Sequence, residues 1–530
     1  MKGSENRTWR LTLLVVAALA VVLLLPALAA ATGSPAPAKE LGGWTPGLSR
    51  IADGGIGDYA DSWQNSYPWS MSMFGGDLYV GTGRVGCTSS VMSLMSGPMA
   101  GGAGIPLPGG FLPGNTPQAP PLSSFLAPDG RSVTDVTKYN AFNATSRAEI
   151  WRLHCGVWTR VWRAPLIDSY LSGAPPGSAA AILGLRGMAV MTDKNGAKAL
   201  YAAAGGFSFA LQQPLLMRSV DGVTWTPCYA PPEMGRESRA IFAHHGKLYV
   251  GVGPAELRSP VRAGAWASDD PVDPLSWKKV IDFPTLDPTN NNVLSFATLY
   301  GRLYAGTSNI TGFQVWRSTV SDPMGNADWT RVVTGGAGST ANEWAGTMKV
   351  FNGAVYVGSM HVPGISGSTQ LKGFDLIRIW PSGSWQLVIG DPRSAQTPAG
   401  TRMMTPVSGK PSGMGNPLNL YCWSLAVHGG RLYMGTFDLT SMLKFADPTG
   451  TQIAAMLGLT VKQVQALYAG AGADLYRTWD GRSWGTVTLT GFGEQYCYGF
   501  RNIVAAPFRL YYGLSNPFYG CQVWEYRSLW

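Results

Sequence analysis

The chain has 530 residues and a formal net charge of +9. Its Lys and Arg residues form no block, which argues against a nucleic-acid partner. Charged residues are only 13% of the total and there are 68 glycines, roughly half and twice ordinary usage, which disfavours long solvated helices and favours short strands joined by tight turns.

The N-terminus reads as a targeting segment. Lys2, Arg7 and Arg10 precede an unbroken apolar run over 11–25, then Pro26 and Ala27-Leu28-Ala29. This is the pattern of a cleaved signal peptide. Residues 1–31 are assigned to the signal, 32–41 to a flexible linker and 42–530 to the folded domain. The expected location is secreted or cell-envelope, with an N-terminal membrane anchor if the signal is not cleaved. No later stretch approaches membrane-spanning length.

After GGWTPGLSRIADGG at Gly42, one sentence recurs along the chain. It reads MSMFGGDLYVGT from Met71, IFAHHGKLYVGV from Ile241, FATLYGRLYAGT from Phe296, MKVFNGAVYVGS from Met348 and LAVHGGRLYMGT from Leu425. Weaker copies start at Met188 and Asn502. Each is an apolar run, a Gly-containing turn and a second alternating run, which is a hairpin. The copies align on Tyr79, Tyr201, Tyr249, Tyr304, Tyr356, Tyr433 and Tyr511. Two further strand signals follow most hairpins, and a tryptophan opens the fourth, as in FQVWRST then WTRVVT. The last copy ends at its third strand, CQVWEYRSLW, and the missing fourth matches the segment at Gly42. The expected fold is all-β: a seven-bladed β-propeller of four-stranded antiparallel blades, with the N-terminal strand, beginning near Trp44, closing the last blade.

The turns SVDGVTW at 219–225 and TWDGRSW at 478–484 resemble shortened Asp-box turns. The chain from 42 onward resembles secreted seven-bladed propellers with Kelch-like or Asp-box-like repeats. That resemblance implies a fold. It implies no chemistry, because Asp-box turns are structural.

Insertions are expected at about 88–146, 391–420 and 437–473, the last containing one amphipathic helix from Ile453. All three connections emerge on one face of a propeller, and loops on a rigid scaffold commonly carry function. The innermost strands start on that face. Counting eight residues back from the residue before Leu-Tyr gives Trp69, Arg186, Arg239, Leu294, Gly346, Trp423 and Arg501. Arginine offers a bidentate fork to carboxylate or phosphate and tryptophan a flat apolar plate. Trp69, Trp423, Arg186, Arg239 and Arg501 are therefore the candidate ligand-binding residues. Trp63, Tyr67, Trp344, Tyr421, Tyr496, Tyr498 and Phe500 crowd the same approaches.

Acid–base candidates on that rim are Glu343, Asp438 and Glu494, together with Asp61 and His361, and a glycosidase would need two such carboxyls facing each other. Phe500-Arg501-Asn502-Ile503 only faintly resembles the sialidase Phe/Tyr-Arg-Ile-Pro signature and lacks its Pro. Asp53, Asp58 and Asp61 suit either a calcium loop or an ordinary connection between blades; no other cofactor is indicated. Cys497 and Cys521 are the best expected disulfide pair. The reading is an exported monomeric binding protein for a glycan or anionic group, or for a partner, at the loop-decorated channel face. A secreted glycan-active hydrolase or lyase and a protein–protein scaffold are the alternatives.

Overall fold

The computed structural model describes residues 47–59, 61–84, 147–168, 176–177, 179–204, 215–229, 237–253, 263–361, 372–457 and 459–528. The signal, the linker, Trp44 and the 88–146 insertion lie outside the described residues.

Most of the described chain is β-strand, arranged as four-stranded antiparallel sets in chain order. The first set is Asn65–Phe74, Asp77–Arg84, Glu149–His154 and Val157–Arg163. The second is Leu185–Thr192, Lys198–Ala204, Leu215–Ser219 and Thr226–Tyr229. The third runs from Glu237–His244 to Lys278–Asp282, the fourth from Asn290–Leu299 to Trp329–Val333. The fifth runs from Trp344–Phe351 to Trp385–Ile389, the sixth from Asn419–His428 to Trp484–Thr488. The last has Gly499–Ala506, Arg509–Ser515 and Gln522–Arg527, and Leu48–Ala52 pairs with its third strand through Leu48↔Tyr526 and Arg50↔Trp524.

The core lies between sets, because each sheet is apolar on both faces. Tyr201 and Leu216 of the second set meet Val250 and Trp266 of the third. Ile503 and Tyr512 of the last meet Tyr433 and Leu475 of the sixth. Tyr511 and Val523 of the last meet Met71 and Val80 of the first. With neighbours on both sides, the second strand of every set is buried almost throughout, as expected of strands without a solvent face. The first strands pack against one another in cyclic order, including Gly499–Ala506 on Asn65–Phe74. This is the arrangement of a β-propeller with its first strands innermost.

Backbone bonds stitch one set to the next at the end of the second strand. Arg84 N–H donates to Leu183, Asn309 to Glu343, His361 to Leu420, Asp438 to Tyr498 and Asn516 to Ser66, at 2.7–3.0 Å. On the opposite face, the 219–225 and 478–484 turns lock onto the preceding set. Asp221 accepts from the amides of Val223 and Thr224, and Asp480 from those of Arg482 and Ser483, at 2.7–2.8 Å. Gly222 and Gly481 have φ of +76° and +71°, and a Cβ there would meet the hydroxyls of Tyr79 and Tyr356. Only glycine fits both the conformation and the close approach.

A polar clip recurs inside the sets. In the first, Asn65 Nδ2 donates to Glu149, whose own amide donates to Thr82 Oγ1. Asn290, Gln314 and Thr307 repeat it in the fourth set, Asn342, Asp375 and Ser359 in the fifth, and Asn419, Asp474 and Thr436 in the sixth. The aromatic two residues on usually joins in: Trp151, Trp316 and Tyr476 each donate to the acidic or amide side chain at 2.9 Å.

The insertions differ in detail from expectation. Residues 437–473 form three short helices, Thr440–Ala446, Thr451–Leu457 and Val461–Ala469. The single helix expected from Ile453 is interrupted because Thr460 and Gln463 form a capping box that starts a new one. The 391–420 segment carries a small hairpin, Arg393–Thr397 with Gly400–Met404.

Candidate ligand-binding site

The aligned positions in the first strands share a structural cause. In each inner hairpin the strand register slips by one residue. Pro68 faces Thr82 and Ser70 faces Gly81, so Trp69 is left over. The same slip leaves over Arg186, Arg239, Leu294, Gly346, Trp423 and Arg501. A bulged residue is freed from the pleat, and bulges re-aim side chains. Neighbouring sets fix these bulges: Ser295 donates to the carbonyl of Ala345 at 2.6 Å, Ser424 to Phe500 at 2.7 Å and Asn502 to Pro68 at 2.5 Å.

The side chains of Trp69, Arg186, Trp423 and Arg501 form two equivalent units. Trp69 lies over Gly184 of the next set, and the guanidinium of Arg186 sits 4.5 Å from its ring centroid. Trp423 lies over Gly499 of the next set, with Arg501 at 5.3 Å. A Cβ at Gly184 or Gly499 would come within 2.0–2.1 Å of the indole, so glycine two residues before each arginine is what admits the tryptophan. Tyr67 joins the units, 5.8 Å from Trp69 and 6.3 Å from Trp423. Tyr498 and Phe437 pack on Trp423, and Tyr421 stacks on Phe437 at 4.5 Å. Trp69 is 5% exposed, so its ring mainly carries Arg186. Trp423, Arg186 and Arg501 are half-buried. The side chain of Arg239 lies outside the described residues.

The acid–base candidates do not form one group. Glu343 and His361 are buried together, with Oε2 3.2 Å from Nδ1. Tyr421 is beside them, its hydroxyl pushed up by burial and then by the Glu343 charge. Asp438 is buried at the end of the sixth set's second strand and accepts from Thr440 N–H at 2.8 Å; burial raises its carboxyl to about 6. Glu494 lies in a turn, accepting from the Tyr496 amide at 3.3 Å. Asp61 is claimed by Arg84 and Arg163, and Asp53 by Arg50, so the acidic N-terminal loop does not converge. Among the described residues no group of three acidic, His or Cys side chains could hold a metal ion.

The expected Cys497–Cys521 disulfide is not formed; both are separate buried thiols. Cys497 packs with Phe500 and Leu514, whereas Cys521 packs with Ile56 and Val523. Placing both residues on one face had not distinguished these two sides of the sheet.

No protein-family description and no curated protein matches the chain. Among solved structures it is similar to the family 74 glycoside hydrolase xyloglucanase from Xanthomonas campestris, at 16% identity and TM-score 0.41, over 71% of this chain. The chain covers 50% of that enzyme's length. It is also similar to a family 43 arabinoxylan arabinofuranohydrolase from Bacillus subtilis, at 15% identity and TM-score 0.33, covering 73% of this chain and 81% of that one. Among the described residues no helix is long and apolar enough to cross a membrane.

Proposed function

We propose that the chain is an exported, seven-bladed β-propeller, with Kelch-like or Asp-box-like repeats, that binds a glycan at its insertion-bearing mouth. The count of blades and closure by the N-terminal strand are supported by the cyclic contacts of the first strands and by the pairing of Leu48–Ala52 with Gln522–Arg527. The observation that carries the binding reading is the Trp423–Arg501 unit, half-buried on two register-breaking residues. Indole faces stack on the apolar faces of sugar rings, and a guanidinium pairs with acidic or hydroxyl substituents. A monomer without a cofactor suffices for this role. Calorimetric titration with neutral and acidic oligosaccharides tests it. Trp423→Ala should weaken binding at least tenfold, and Gly499→Ala, which displaces the ring without deleting it, should weaken it similarly. Unchanged affinity in both variants would remove the reading.

A second reading, glycan hydrolysis, is favoured by Asp438. With its carboxyl raised to about 6 it holds its proton in mildly acidic solution, as a general acid must. Phe437, its neighbour in the same strand, packs against Trp423. A chromogenic glycoside screen tests this, with Asp438→Asn expected to abolish turnover and the wild-type rate to fall as pH rises through about 6.

A further inference from the structure

A second charged assembly lies at the end of the first set's second strand, and neither reading above uses it. Arg84 is fully buried at the end of the second strand, with its guanidinium on Glu149 at 2.8 Å and Asp61 at 3.0 Å. Arg160 Nη1 and Arg163 Nε reach the same Glu149 oxygen at 2.9 and 3.2 Å, and Arg163 also pairs with Asp61 at 2.7 Å. One carboxylate oxygen thus serves three guanidinium groups. Arg147 is beside them, half-buried, bonded to the carbonyl of Ala164. Among the described residues it meets no carboxylate.

Among the described residues, three guanidinium groups therefore share two carboxylates, and the fourth, Arg147, has none. A purely structural network needs no such surplus, and like charges this close repel unless an anion intervenes. The surplus is felt locally: the Arg147 guanidinium is held below its usual range by burial, then by Arg163 and Arg160. The Nε of Arg84 has no hydrogen-bond partner although the side chain is fully buried. Arg160 and Arg163 are 20% and 24% exposed, and the ring of Tyr59, half-exposed, covers Arg160 at 4.1 Å.

We propose that Arg147, Arg160 and Arg163 form an oxyanion-binding site on the rim of the first set, taking the carboxylate, sulfate or phosphate group of a ligand, with Tyr59 as its apolar wall. Guanidinium forks match such groups in pairs. Glu149 and Asp61 hold the arginines in place and leave a net double positive charge for the incoming group. The site stands independently of the glycan reading, because inorganic ions probe it directly.

The test is calorimetric titration of the full chain with inorganic sulfate, phosphate and acetate, in wild type, Arg147→Ala and Arg147→Lys. Saturable binding of at least one ion is expected, weakened at least tenfold in Arg147→Ala and less in Arg147→Lys, which keeps the charge and loses the fork. Which ion binds tightest separates a sulfate or phosphate ligand from a carboxylate. Because Arg147 is a surplus cation, Arg147→Ala should unfold at the same temperature as wild type or higher. Absence of saturable binding, equal binding by Arg147→Ala, or a clearly lowered unfolding temperature in that variant would each overturn the proposal.

Discussion

The first and sixth sets place an acidic residue at the same point of the same clip and surround it oppositely. Glu149 receives Arg84, Arg160 and Arg163. Asp474 receives Asn419 at 2.6 Å and Tyr476 at 2.9 Å and meets no cation among the described residues; burial, then the neighbouring Asp438, push its carboxyl well above the usual range. Asp375 is intermediate. Its burial raises it, but Lys372 and Arg393 outweigh that and hold it low. In the fourth set the position is Gln314, a neutral side chain making the same bonds. The clip therefore asks for hydrogen-bond geometry, and its charge is set by whatever packs around it.

The largest effect should come from Glu149→Ala, which strands the buried Arg84 without a full partner. A loss of about 3–5 kcal/mol is expected, read by chemical denaturation. The acidic pair in the sixth set should show in the pH profile. The ordinary carboxyl value is 3.8 and Asp438 is raised to about 6. Its contribution to stability is therefore fully present below pH 3.8 and lost as pH rises through about 6. Thermal unfolding of wild type against Asp438→Asn over this window should show wild type losing ground by a few kcal/mol at the upper end. Next in size is Gln314→Glu, which replaces the amide that donates to Asp287 at 2.8 Å with a second carboxylate. It should cost about 2 kcal/mol at neutral pH and less in acid. The smallest change is expected of Asp474→Asn, within about 1 kcal/mol at neutral pH, since burial and Asp438 already disfavour the charge it removes and an amide oxygen can accept the same bonds from Asn419 and Tyr476. A large loss there would mean that Asp474 works as a charge.

Much of the scaffold was legible because the Leu-Tyr hairpin repeats with little variation, and counting back from it picks out the register slips at Trp69, Arg186, Arg239, Leu294, Gly346, Trp423 and Arg501. What the spacing did not disclose was why those positions are special; the register slip is a pairing property and leaves no mark in one strand alone. The clip was missed because its members vary among Asp, Glu and Gln. Its trace was nevertheless present in Glu149-Ile150-Trp151, Gln314-Val315-Trp316 and Asp474-Leu475-Tyr476. Arg84 is separated from Arg147, Arg160 and Arg163 by a long insertion, and of those three the first precedes the set's third strand and the others lie in its fourth, so no charge run announced them. The Cys497–Cys521 expectation failed because being on one face does not fix which way a thiol points.

The bulge separates two duties that a strand residue ordinarily combines. Positions within the ladder must suit their partners across the pleat and between sheets, whereas the left-over residue is released from the ladder and answers to the neighbouring set, as Trp69 does to Gly184 and Trp423 to Gly499. Arginine, tryptophan, leucine and glycine all occupy it without disturbing the hairpins beneath. On the binding reading proposed above, such a ring would work like a row of interchangeable type: preference for one visitor over another could be rewritten letter by letter while the frame that holds the letters stays untouched.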